Sequence, residues 1–163
     1  MLKEKINQDY KDAFKAKEEK KVAVLRMLNA AIKNKELEKR LKLLKTVTES
    51  AELQKQSQLN DEEVVAVLGT EVKRRKDSVE QFKSGGRTEL ASGEEEELKI
   101  LSAYLPEQMG ENELRKIIAE AIKESGAAGA ADLGKVMKVL MPRVKGKADG
   151  GLVNRIVKEE LTM

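Results

Sequence analysis

Residues 132–161, DLGKVMKVLMPRVKGKADGGLVNRIVKEEL, place two amphipathic helices on either side of a basic turn, and this arrangement decides how the chain is read. Leu133, Val136, Met137, Leu140 and Met141 recur at the three- and four-residue intervals of one helical face, while Lys135 and Lys138 fall on the other side. Pro142 has no amide hydrogen to donate, so the helix is expected to end near it. Arg143, Lys145 and Lys147 then crowd a glycine-punctuated turn. Asp149 stands where an N-cap side chain accepts from the first free amides of the next helix. The spacing therefore predicts a positive turn held between two packed helices.

Immediately upstream, Leu114, Ile117, Ile118, Ala121 and Ile122 mark one more amphipathic helix, which Gly126 is placed to terminate. The composition shifts across Leu105-Pro106-Glu107-Gln108-Met109-Gly110, so the chain is divided into an N-terminal helical subdomain, 1–105, and a C-terminal three-helix subdomain, 106–163. A unit of under sixty residues buries proportionately little surface and is marginal by itself.

The N-terminal part reads as a series of helices. Leu2, Ile6, Tyr10, Ala13 and Phe14 carry the first, and Val22, Leu25, Leu28, Ala31 and Ile32 the second, which can extend through Leu37, Leu41 and Leu44 into the polar stretch 46–58. Asn60 and Glu63 have capping-box spacing and predict a third helix, with Val65, Leu68, Val72, Val79 and Phe82 inward and Ser84-Gly85-Gly86 as its stop. A shorter helix is expected from Thr88 to Tyr104, loosened near Ser92-Gly93.

Composition narrows the function classes. With 37% charged residues, no Trp, two each of Phe, Tyr and Pro, and few β-branched runs, the 163-residue chain is expected to be all-α and multihelical. No segment has the apolar run of a signal peptide or a membrane span, which places the protein in the cytoplasm. The absence of Cys excludes disulfides and thiolate metal ligands, and the absence of His excludes the commonest general base. No cofactor, no metal and no catalytic residues are assigned.

A net charge of +3 is too small to imply nucleic-acid binding, so the placement of charge must carry any such idea. Lys135, Lys138, Arg143, Lys145 and Lys147 are the candidate binding residues: cations on one rigid surface can displace condensed counterions together, whereas scattered lysines cannot. Their plain structural reading is a solvated face. No aromatic residue follows Tyr104 to stack on an unpaired base, so folded shape and backbone are the expected targets. Gly150 and Gly151 could bring a phosphate to a helix N-terminus, but Asp149 would occupy those amides itself. GAADLGKV at 129–136 mimics a phosphate loop yet lacks the hydroxyl that binds magnesium and the preceding strand. Lys73–Lys76 and Arg87 form a second basic group, with Arg75 nearest the apolar side and in reach of Glu71. Glu94–Glu97 reads as solvated surface, because consecutive helical carboxylates diverge instead of converging on one proton or ion.

Several stretches in order carry a family likeness: RMLNAAIKN at 26–34, VKRRKDS at 72–78 with Gly85-Gly86-Arg87, YLPEQ at 104–108, DLGKVM at 132–137, Met141-Pro142, and GKADG within 145–150. The chain resembles the YqeY-like proteins, whose C-terminal part is related to the tail of GatB, a subunit of the glutamine-dependent tRNA amidotransferase. The resemblance spans almost the whole chain and implies a multihelical fold of two subdomains. It also implies an association with tRNA, and no active site. The expected function is a non-catalytic tRNA-binding or amidotransferase-associated module. The alternatives are a protein-interaction adaptor, docking on an amidotransferase or an aminoacyl-tRNA synthetase, and a part of a carbon–nitrogen ligase that uses glutamine as amido donor. The chain offers neither a glutaminase nucleophile nor an ATP site for the last.

Overall fold

The structure, a computed structural model, describes residues 1–162. Among them are eight α-helices and no strand: α1 (Leu2–Lys15), α2 (Glu19–Leu43), α3 (Ser50–Ser57), α4 (Asp61–Ser84), α5 (Thr88–Ser102), α6 (Glu111–Ser125), α7 (Leu133–Val144) and α8 (Gly150–Thr162), with a 3-10 turn at Ala130–Asp132. The chain is thus all-α. No helix among the described residues is long and apolar enough to cross a membrane. The backbone divides into two compact units, Met1–Leu105 and Pro106–Met163.

In the first unit, Ile6 of α1, Leu25, Leu28 and Ile32 of α2, and Val64, Leu68 and Val72 of α4 form one core with Leu101 and Tyr104. The start of α4 is set by the capping box: Asn60 Oδ1 accepts from the Glu63 amide at 2.9 Å, and Glu63 accepts in return from the Asn60 amide at 2.9 Å. Asp61 in the same turn also reaches α1, accepting from the Leu2 amide at 2.8 Å. Val64, and not Val65, occupies the fully buried position, so the inward stripe of α4 runs 64, 68, 72.

The polar stretch 46–58 contains a helix that its composition hides. α3 packs on α2 with Leu53 as its buried apolar residue and Ser57 as its buried polar one. Ser57 is satisfied by donating to the Gln54 carbonyl at 3.0 Å. α5 runs unbroken through Ser92-Gly93, against the expected loosening there.

Tyr104 closes the first core. It is 8% exposed and donates its hydroxyl to Asp9 of α1 at 2.7 Å. Burial first, and the hydrogen bond and charge of Asp9 second, push the phenol well above its ordinary range. The unfolded chain ionises near the usual tyrosine value of about 10 while the folded chain keeps its proton, so this contribution is full below pH ~10 and is lost as pH rises further. Tyr104→Phe is expected to cost about 1.5 kcal/mol at neutral pH and to flatten the alkaline fall in stability, by up to ~1.4 kcal/mol per pH unit. Urea denaturation of both proteins between pH 9 and 11 checks this, and parallel curves would remove Tyr104 as the source.

In the second unit, three helices meet around Leu114, Ile118 and Ala121 of α6, Val136, Leu140 and Val144 of α7, and Val153, Ile156 and Val157 of α8. Gly126 ends α6 in the left-handed conformation at φ 64°, which glycine adopts without a Cβ clash. Arg115 of α6 joins α8 through Glu159 and Glu160, each at 3.1 Å. α7 ends two residues past Pro142, as expected. Its last residue is Val144, whose side chain is 1% exposed and fills the third core position of the stripe 136, 140, 144. Met141 is 38% exposed and lies off that stripe. Proline is tolerated because it falls in the last turn, where its missing amide removes a single intrahelical bond, and the Lys145 amide still closes on the Met141 carbonyl at 3.0 Å.

Candidate nucleic-acid interface

Five cations were expected to act as one surface, and the structure separates them into two kinds. Lys135, in the first turn of α7, pairs with Asp132 at 2.6 Å. The Lys135 hydrogen bond and the Ala128 amide hold the Asp132 carboxyl below its usual range. Arg143 leans toward α6 and pairs with Glu124. These two are exposed charges already met by a neighbouring carboxylate. Lys138, Lys145 and Lys147 are exposed and have no ion-pair partner among the described residues.

The backbone that carries these three lysines is fixed from several directions. Lys138 lies on α7, away from the buried Val136, Leu140 and Val144. Lys145 caps the helix, and Gly146 follows at φ 77°, a left-handed conformation that favours glycine. The Lys147 amide returns to the Val144 carbonyl at 2.9 Å, and the Met109 amide donates to the Lys147 carbonyl at 2.8 Å. Gln108 Nε2 donates to the Gly146 carbonyl and to the Pro106 carbonyl, each at 2.8 Å. The segment before α6 thus pins the turn with neutral hydrogen bonds and leaves its ammonium groups free. Sequence reading placed Gln108 only within a boundary motif. The signal for its role was a neutral donor beside Pro106, too weak to specify a partner 38 residues away.

The start of α8 is closed to an anion. Asp149 Oδ1 accepts from the Gly151 and Leu152 amides at 2.9 and 3.0 Å, so the capping reading of Asp149 is the structural one. Unit 106–163 has ten Lys and Arg against nine Asp and Glu, so net charge does not single it out and local placement does.

A family model described as Yqey-like protein matches residues 3–46 and 38–161, nearly the whole chain. The chain belongs to the Yqey-like family. This Yqey-like chain is 25% identical over 158 residues to Altered inheritance of mitochondria protein 41, mitochondrial, of Pyrenophora tritici-repentis, a match covering 95% of the chain and 78% of that protein. It is 27% identical over 100 residues to the protein of the same name in Vanderwaltozyma polyspora, covering 61% of the chain and 46% of the relative. It is also 32% identical over 75 residues to an uncharacterized protein of Schizosaccharomyces pombe, covering 46% of the chain and 61% of the relative.

In the second basic group of the Yqey-like chain, two of the five cations, Arg74 and Arg75, pair within their own unit. Arg74, not Arg75, takes Glu71, at 3.3 Å. Arg75 is only 14% exposed and lies against α5, 2.9 Å from both Glu94 and Glu97. The acidic run is therefore solvated surface only in part: Glu94 and Glu97 turn inward to hold Arg75, while Glu95 and Glu96, with side chains 41% and 52% exposed, pair with Lys83 and Lys20. Lys73, Lys76 and Arg87 are exposed.

Proposed function

We propose that the protein is a non-catalytic helical module that binds tRNA through its phosphate backbone, in association with tRNA amidation, using Lys138, Lys145 and Lys147. The observation that carries this reading is the pinned turn: Lys145 and Lys147, exposed and without carboxylate partners among the described residues, on backbone held by Met109 and Gln108, with Lys138 equally unpaired on α7. Such an arrangement releases counterions from a polyanion without first breaking internal ion pairs. Lys135 and Arg143 flank it as secondary contacts, since each has a competing carboxylate. The resemblance to the GatB tail supports tRNA as the polyanion, and the lack of aromatic residues beyond Tyr104 supports duplex and backbone over unpaired bases. A compartment that holds tRNA is required, a condition met by the cytoplasm and by the mitochondrion named for the fungal relatives.

The test is binding of bulk tRNA at several salt concentrations by the wild type and by the Lys138→Ala/Lys145→Ala/Lys147→Ala triple variant. The wild-type log affinity should fall with log salt, and the triple variant should lose about 2–3 from that slope, at roughly 0.7–0.9 per phosphate contact. Affinity at low salt should drop by about tenfold or more, with helicity unchanged. Lys135→Ala/Arg143→Ala should alter the slope by less. Equal binding by the triple variant and the wild type would defeat the proposal.

A further inference from the structure

The outward face of α2 has a heptad pattern that the fold leaves largely unused, with Met27 at its start also lying 3.5 Å by its Sδ from the Arg75 guanidinium. Met27, Ala30, Asn34, Leu37, Leu41 and Leu44 follow the alternating three- and four-residue spacing of a coiled-coil seam. Every one of them is exposed, with Met27 at 53%, Leu37 at 49%, Leu41 at 65% and Leu44 at 54%. They lie on the side of the helix opposite Leu25, Leu28 and Ile32, which are buried.

This orientation is enforced. On the inward face of the second half of α2, the half-buried Leu43 is preceded by two polar residues, Glu36 and Lys39, which bond to the rest of the unit. Glu36 accepts from the Leu59 amide at 3.1 Å and from Lys3, while Lys39 donates to the Gln58 carbonyl at 3.1 Å and to Glu63 at 2.7 Å. A turn of the helix that buried Leu37 and Leu41 would break all four contacts. The leucines are therefore held outward by polar bonds, where burial alone would have drawn them in.

The flanks of the seam identify its partner. The positions just before each core residue on one side are Arg26, Lys33 and Arg40, and Lys45 stands on the other; all are exposed and none has an ion-pair partner among the described residues. Glu38 is the single acidic flank and is taken up by Lys35. Two copies packed antiparallel would set these cations against one another. Packed parallel and in register, two copies would oppose Arg40 to Lys45 twice and set Lys33 against Glu38 twice, so the flanks gain nothing net from pairing with themselves. A helix with Leu in its seam and Glu on its flanks meets the cations and the leucines together, and an Asn can face Asn34.

We propose that this face of α2 is a docking strip for an acidic amphipathic helix of another protein. The probe is a synthetic three-heptad peptide with Leu at the seam, one central Asn, and Glu at every flanking position; the control peptide has Lys at those flanks. Binding is read by calorimetry on the full chain and by methyl resonances of Met27, Leu37, Leu41 and Leu44. The acidic peptide should bind with shifts confined to those residues, and the Lys peptide at least about tenfold more weakly, as expected for like charges across a seam. Leu37→Gln/Leu41→Gln should abolish binding. Lys33→Glu/Arg40→Glu, at two exposed positions that leave the core intact, should reverse the preference toward the Lys peptide. Equal affinity for the two peptides, absence of binding, uptake by anionic vesicles in place of the peptide, or self-association through α2 in sedimentation would each overturn the proposal.

Discussion

Leu140→Ala is expected to unfold α6, α7 and α8. Leu140 is fully buried at the centre of the stripe 136, 140, 144, between α6 and α8. Truncating such a leucine removes its transfer free energy and leaves a cavity, for a total of about 2–5 kcal/mol. A core the size of this unit's supplies only about 3–5 kcal/mol. The loss is therefore comparable to the whole, and no disulfide or metal ligand of Cys or His type exists to offset it. Hydrogen exchange read by mass spectrometry should show amide protection lost throughout α6–α8, with the core helices of the first unit as internal reference. Retained protection of α7 at 25 °C would show that the site collapses around the smaller residue. Met141→Ala, at a position already 38% exposed, is the matched control and should cost far less.

The next largest effect is expected at Arg75. Its guanidinium lies between Glu94 and Glu97 of α5, with Met27 Sδ at 3.5 Å, and holds α4 to α5. Arg75→Met keeps the length of the side chain and removes its charge, leaving two half-buried carboxylates without a partner; the expected cost is about 3 kcal/mol. The ion pair is itself imperfectly satisfied. Arg75 Nε has no hydrogen bond, and Glu97 Oε2, though 2.9 Å from the guanidinium, is not aligned for one. Desolvation is therefore incompletely repaid, and Arg75→Met/Glu94→Leu/Glu97→Leu should recover stability to within about 1 kcal/mol of wild type. Denaturant midpoints of wild type, single and triple variant decide the matter: a triple variant as weak as the single one would assign the loss to packing, not charge.

The features legible in the sequence were those with short-range chemistry. Asn60 with Glu63, Gly126, and Asp149 each specify a helix end through contacts within a few residues, and each is found as read. What could not be read was long-range. α3 escaped because one inward leucine in eight residues gives no period. By spacing alone Leu37, Leu41 and Leu44 continue α2 as an apolar helix, yet Glu36 and Lys39 face inward because their partners, Leu59, Gln58 and Glu63, arrive from another part of the chain. Val144 took the place of Met141 because the helix runs two residues past its proline. In the candidate interface, the cations were all visible, but the carboxylates that claim two of them were not: Glu124 lies 19 residues from Arg143, on α6.

Asp149 has a further consequence for how selective the basic turn can be. With the α8 amides already engaged, any phosphate met there must be held by ammonium groups at the tips of flexible four-carbon stems. Such tips follow a ligand over a wide range of angles, whereas a ring of fixed amides accepts one geometry. Under the tRNA reading, the turn is thus a tolerant grip, and discrimination between one acceptor species and the next must be supplied by whatever enzyme or helix the module is brought beside.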